Sequence, residues 1–272
     1  MTLSLITGTS SGMGLYAAVE LAKLGHQVIA TMRNPDASGP LQAAAHEAGV
    51  AVEVRALDVT DAEACEELVA ALSAEYGPVH TLVNNAGQGM VGTAEQLTMD
   101  DIQDQLDLNY LAPLRLTKLV LPAMREARAG RILTVTSVGG AVGQPFADAY
   151  CGAKFAVEGF MQSLAPVAER FGVHVAVIEP AAVASKFTDN AVIPESTGPY
   201  AQLLDAYKAR TAGAFSAAQS PQEAGFAIAA AVTDPTPRFR YQTSETARAF
   251  VSRSLADPNG EAVLNFTRPW IA

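Results

Sequence analysis

Tyr150 and Lys154 lie four residues apart at the end of the stretch Ser137-Val-Gly-Gly-Ala-Val-Gly-Gln-Pro-Phe-Ala-Asp-Ala-Tyr150-Cys-Gly-Ala-Lys154. On a helix that spacing puts both side chains on one face, one turn apart. A free phenol titrates near pH ~10 and is a poor acid or base at neutral pH. An ammonium one turn away favours the phenolate and is expected to bring the phenol down toward working pH. A serine hydroxyl can then hold a substrate oxygen while the tyrosine exchanges its proton, and Ser137 is the candidate. Tyr-x-x-x-Lys is common on helices and is usually structural when it stands alone. The elements around it must decide.

Residues 131–136 are β-branched and apolar, the pattern of a buried strand, and Ser137 falls where it ends. Residues 153–171 continue as a largely apolar helix, and the glycines between can fold back toward it. At the start of the chain, residues 3–7 predict a short strand that runs into Gly8-Thr-Ser10-Ser11-Gly12-Met13-Gly14. Residues 15–24 follow with helical spacing, and Gly25 is placed to end that helix. Strand, glycine turn, helix is the setting of a dinucleotide site: glycines admit a pyrophosphate, and the helix N-terminus offers free N–H groups. The second strand, 27–31, lacks the acidic residue that holds a ribose 2′-hydroxyl and is followed by Arg33. Arg33 can pair with a 2′-phosphate and Ser11 can add a hydroxyl, so NADP(H) is expected in preference to NAD(H).

Further strands are expected at 52–57, closed by Asp58, and at 79–83, ending in Asn84-Asn85-Ala86-Gly87. Thr60 to Glu63 reads as a capping box for a helix through Tyr76, with Cys65 as a small buried filler. Residues 98–129 predict one long helix carrying Asn109. Pro113 disturbs the turn before it and can free the Asn109 carbonyl to hold a water. Residues 173–178 predict a sixth strand carrying His174, a packed residue rather than a catalyst, followed by Pro180-Ala-Ala-Val183-Ala-Ser185. Residues 186–220, with a helix at 200–212, form the longest excursion and a candidate substrate lid. Ser220 to Glu223 caps a helix at 224–232, and 238–241 is a seventh strand. The tail with Trp270 takes no assignment.

The chain is 49% hydrophobic and 17% charged, which suits a buried parallel sheet between helices. A net charge of −10 without a lysine or arginine cluster argues against a nucleic-acid partner. Two cysteines are too few for a disulfide scaffold and fit a reducing compartment. The first residues leave no room for a signal peptide, and no apolar run reaches the roughly 18 residues of a membrane span. The expectation is cytoplasmic.

Alternating strands and helices imply an α/β, Rossmann-like, doubly wound parallel sheet of about seven strands in a single domain, 1–272. The glycine loop, Asp58, Asn84 to Gly87, Ser137 and Pro180 to Ser185 then share the carboxyl edge, where such sheets bind ligands. In order and spacing, these motifs resemble the short-chain dehydrogenase/reductase family over nearly the full chain. Ala30-Thr-Met-Arg33, Pro145-Phe146, Lys154-Phe155-Ala-x-Glu158-Gly159 and Leu255 to Gly260 resemble its estradiol-type 17β-hydroxysteroid and photoreceptor-type retinol dehydrogenase branch. The resemblance implies that Ser137 orients the substrate oxygen and Tyr150 is the acid/base. Lys154 would serve Tyr150 and the nicotinamide ribose, and Asn109 would hold a relay water. It implies a cofactor site of Gly8, Ser10, Ser11, Gly12, Met13, Gly14, Arg33, Asp58, Val59, Asn85, Ala86, Gly87, Tyr150, Lys154, Pro180, Val183 and Ser185, with no metal. It also implies NADP(H), a bulky apolar carbonyl or alcohol substrate, and a homodimer or homotetramer. The family's Pro-Gly segment reads Pro180-Ala181 here, which puts the local loop in question. A lyase or epimerase on the same scaffold, or a non-catalytic NADP-binding regulator, are the other functions considered.

Overall fold

Strand β1 (Leu3–Thr7) is buried at all five positions, as a strand covered on both faces must be. It is central in a seven-stranded sheet in which every pairing is parallel. The order is β3 (Glu53–Ala56), β2 (Gln27–Met32), β1, β4 (Thr81–Asn84), β5 (Gly130–Val135), β6 (Val173–Glu179), β7 (Arg240–Gln242). The computed structural model describes residues 2–185, 187, 198–216, 218–261 and 265. The expected single domain with a doubly wound sheet is the observed fold.

Strand alternation divides the core into two layers. Leu3, Leu5, Ile132, Val173, Val175 and Val177 face α3 (Ala62–Tyr76), α5 (Ala112–Ala127) and α6 (Asp148–Glu169). Ile6, Leu133, Val135, Ala176 and Ile178 face α1 (Gly12–Lys23), α2 (Gly39–Glu47) and α8 (Pro221–Thr233). Sequence reading gave no element at α2 or at the short α9 (Glu245–Val251). Few residues of α2 are apolar on one side, and only Leu41 and Ala45 are buried.

The expected single helix at 98–129 is three segments: α4 (Met99–Leu106), a wider π turn over Asp107–Leu111, and α5. Pro113 has no N–H for the carbonyl four residues back, Asn109, so the ladder widens there. The cap of α3 also differs. Asp61 accepts from the Ala64 N–H, while Thr60 is engaged with Asp58. Gly25 has φ +84, and Ser220 with Glu223 forms the expected capping box on α8. The helix expected at 200–212 is α7 (Ala201–Ser216). Residues 186, 188–197 and 217 of the expected lid, and Trp270, lie outside the described residues.

Helix α8 seals α1, the helix that opens on the glycine loop. A Cβ at Gly225 would stand 2.6 Å from Tyr16 Cβ, 2.7 Å from the Ala17 N and 2.9 Å from the Met13 carbonyl oxygen. Two of these are backbone atoms and cannot swing aside. Gly225→Ala should therefore part the two helices and cost about 1–3 kcal/mol, read as a lower midpoint in urea unfolding. An unchanged midpoint would show that α8 shifts freely.

Candidate active site

The glycine loop leaves β1 with Gly8 at φ +70 and enters α1 with Gly12 at φ +65, a region open to glycine at little cost. Side chains are excluded there as well. A Cβ on Gly8 would lie 2.7 Å from Ala86 Cα, and one on Gly14 would lie 2.2 Å from Asn85 Nδ2. The Asn85 amide fills that space and donates to the carbonyls of Thr7 (2.8 Å) and Gly8 (2.9 Å). In return Thr7 Oγ1 accepts from the N–H groups of Asn85 and Ala86, both at 3.0 Å. The ends of β1 and β4 are thus stitched together where the chain's crossovers change direction. The first turn of α1 has no acidic residue, and the Ser11 hydroxyl makes no capping bond. That N-terminus has its positive end and open donors directed at the loop, which fits a pyrophosphate.

At the outer end of β2, Arg33 is exposed and lies close enough to Asp58 to act on its charge. Asp58 Oδ1 accepts from the N–H (2.9 Å) and hydroxyl (2.7 Å) of Thr60. These bonds, with Arg33 adding a smaller effect, hold the Asp58 carboxyl below its ordinary range.

Ser137 caps the 3₁₀ turn after β5, and its Oγ accepts from the Gly139 N–H at 2.9 Å. The Ser137 hydroxyl also acts on the Tyr150 phenol, favouring its ionised form. Tyr150 and Lys154 both lie on α6, which starts earlier than expected, at Asp148. Tyr150 keeps part of its surface open to the cleft, whereas Lys154 is buried. Lys154 Nζ donates to the Val135 carbonyl at 3.1 Å and lies 5.8 Å from the centre of the Tyr150 ring.

The expected lowering of the phenol is not what the protein matrix does. Burial pushes Tyr150 up to about 12, although the Ser137 hydroxyl acts against it. Burial also brings Lys154 down to about 8, with Glu158 opposing. Loss of solvent is the largest influence on both groups. The phenol is held in its protonated form.

Asn109 sits in the π turn and is fully buried. Its Nδ2 donates to the Gln88 carbonyl and to Gln105 Oε1, both at 3.0 Å. Its Oδ1 is buried without a hydrogen-bond partner and faces Gly87, whose Cβ would stand 2.8 Å from it and 3.6 Å from Lys154 Nζ. Gln105 was not singled out from the sequence. Its place one turn before Asn109 was the available signal.

One cleft of about 2020 Å³ is lined by Ser137, Tyr150, Lys154 and every expected cofactor residue from Gly8 to Ser185; Asn109 sits just behind it. A single small-ligand pocket needs roughly 300–1,000 Å³, so the cleft has room for two ligands. Beyond Tyr150 the wall includes Phe187 and Tyr207, from the segment expected to form the lid, and Met90, Val138 and Phe250, which the sequence did not single out as pocket residues. Phe187 meets Tyr150 edge-on at 5.8 Å, and Tyr207 meets Phe146 at 5.5 Å. Ala181, in place of a glycine, turns its methyl into a small apolar cluster with Val138, Ala247 and Val251. The loop is held by Gln219, which accepts from the Ala184 N–H and donates to the Ala182 carbonyl. The methyl group is accommodated.

Residues 2–195 match the sequence profile of the short chain dehydrogenase family. The chain belongs to that family. It is 35% identical to the rat (Rattus norvegicus) estradiol 17-beta-dehydrogenase 1, over 96% of this chain and 79% of the relative. It is 36% identical to human (Homo sapiens) retinol dehydrogenase 8, over 97% of this chain and 88% of the relative. A short-chain dehydrogenase from Streptomyces avermitilis superposes with a TM-score of 0.82 at 30% identity, covering 99% of this chain and 96% of the other. An actinorhodin polyketide ketoreductase solved with NADPH gives 0.75 at 28% identity, covering 89% and 95%. The protein is an oxidoreductase acting on CH–OH groups. Among the described residues no helix is long and apolar enough to cross a membrane.

Asn85→Ala should leave the Thr7 and Gly8 carbonyls without their donor and open a gap beside Gly14. A loss of about 1–3 kcal/mol in urea unfolding is expected, together with weaker dinucleotide binding in a fluorescence titration. Wild-type affinity in a destabilised variant would separate the clasp from the loop it holds.

Proposed function

We propose that this protein uses NADP(H) to interconvert a carbonyl and a secondary alcohol on a bulky apolar substrate, and that its residues favour reduction. The observation that carries this reading is that Ser137, Tyr150 and buried Lys154 line one cleft, with Lys154 Nζ 5.8 Å from the centre of the Tyr150 ring. When bound, the nicotinamide supplies or accepts hydride. Ser137 Oγ holds the substrate oxygen, and Tyr150 donates its phenolic proton to that oxygen as negative charge develops there. Lys154 is the nearby cation that steadies the phenolate left behind. Asn109 Oδ1, a buried acceptor facing Gly87 and Lys154, suits a water that returns the proton from solvent.

Gly8 to Gly14 would hold the pyrophosphate, Asp58 and Val59 the adenine, and Asn85 to Gly87 the adjoining ribose. Pro180, Val183 and Ser185 would face the nicotinamide. Arg33 and Ser11 would read the 2′-phosphate, because a phosphate needs a cation and donors where an NAD enzyme places a carboxylate. The apolar wall beyond Tyr150, and the steroid and retinoid names of the relatives, support a bulky substrate. Residues 186–220 would act as its lid; Tyr207 on α7 already touches Phe146 at the rim. Leu111 and Phe155 are exposed on the outer side of the helices that carry Asn109 and Tyr150, where a second copy would pair.

Tyr150→Phe should keep dinucleotide affinity and nearly abolish NADPH oxidation with ketones and aldehydes, steroids and retinoids included. Turnover within a few-fold of wild type would end the assignment of the proton donor. Arg33→Ala should raise the Michaelis constant for NADPH roughly ten- to a hundredfold, the range of one charge-assisted bond, and leave NADH nearly unchanged. Equal weakening of both cofactors would show that Arg33 does not reach the 2′ position.

A further inference from the structure

Glu158 lies one turn after Lys154 on α6 and is buried together with Glu179 of β6 and Arg240 of β7. Arg240 Nη1 donates to Glu158 Oε2 and, at 2.6 Å, to Glu179 Oε1. Gln242 Nε2 donates to Glu179 Oε2 and to the Pro258 carbonyl. Two carboxyl groups therefore share one guanidinium away from water, an arrangement that favours keeping a proton on one of them. The glycines around it fix the geometry. A Cβ on Gly140 would press on Glu158 Cγ at 2.8 Å, and one on Gly260 would lie 3.2 Å from Arg240 Cγ.

Thr136 makes Glu158 able to change charge in place. Its hydroxyl lies 2.5 Å from Glu158 Oε1 and 3.1 Å from the Ile178 carbonyl, and it has only one proton to give. With Glu158 ionised, Thr136 donates to the carboxylate. With Glu158 protonated, the carboxyl donates to Thr136, which turns to Ile178. Both states are hydrogen-bonded, so the site can hold or release a proton without moving.

We propose that Glu158 is a positioning residue that sets the charge of Lys154: by ionising, it keeps the buried ammonium protonated at alkaline pH. Among the described residues, the charged and titratable groups around Glu158 are buried Lys154, one turn earlier on its own helix, Glu179 on β6 and Arg240 on β7, with the Thr136 hydroxyl at the end of β5. Arg240 is shared with Glu179, which leaves Glu158 with negative charge to spare for Lys154. The inference rests on the role given to Lys154 in the proposed reaction. The link between the two side chains can be tested apart from that role.

Two measurements decide it. In the pH profile of kcat/KM for carbonyl reduction, Glu158→Gln should move the alkaline limb about one pH unit lower, the size of shift a nearby buried charge produces. In the cofactor-free protein, thermal unfolding of wild type, Glu158→Gln, Lys154→Met and the double variant should show a favourable coupling at pH 8. That coupling should vanish at pH 6, where Glu158 holds its proton. A residue that only packs would give an unmoved pH profile and a coupling independent of pH, and that result overturns the inference. If wild type reduces no carbonyl, the proposed function fails while the unfolding cycle still reports on the pair. If Glu158→Gln does not fold, Thr136→Val removes the donor to the carboxylate and should move the limb the same way by less; an unmoved limb there counts against the inference.

Discussion

The site depends on one side-chain amide. β1 and β4 are adjacent in space but separated by two strands and three helices in sequence, and the sheet's direction of winding changes between them. Parallel strands leave their carboxyl ends ragged, with carbonyls and N–H groups that no neighbour completes. Asn85 closes two of these carbonyls, and Thr7 closes two N–H groups from the other side. Because the amide occupies the place of a Gly14 side chain, the loop cannot settle closer or drift away. The position of α1, and hence the direction of its N-terminal donors, follows from that contact.

A second constraint works from the opposite flank. Helix α6 carries Tyr150 and Lys154 near its start and Glu158 farther along, so one rod relates the cleft to the buried triad. Arg240 comes from the last strand and Glu179 from the one before. The triad therefore ties α6 to the far edge of the sheet, and its burial makes removal of a single member costly in a way that replacing the whole set would not be. Lys154 stands between this negative centre and the cleft.

Much of this was legible in the sequence, for physical reasons. Strands buried on both faces read as short apolar runs, and the turns after them must carry small or polar residues. Leu3 to Gly14 and Arg131 to Ser137 were accordingly clear. The polar partners were not: Thr7 and Arg240 act through contacts made far along the chain, which no local spacing announces, and Gln105 showed only as a residue one turn before Asn109. Helix α2 escaped because it buries only Leu41 and Ala45. The break at Pro113 was foreseen, but its form was not, since a proline states only that one bond is lost. The phenol's proton affinity was read in the wrong direction. Sequence supplies the neighbour and its charge but not the depth at which both are held.

The seal of α8 on α1 also has a consequence for the order in which the molecule is made. The chain is synthesised from its N-terminus, and the first strand, glycine loop and α1 are complete some two hundred residues before Gly225 emerges. Until then the face of α1 around Met13, Tyr16 and Ala17 has no cover. The nucleotide half thus carries its main recognition elements early yet waits on the last quarter of the chain for its outer wall. A nascent chain halted before Pro221 presents that face to whatever surrounds the ribosome.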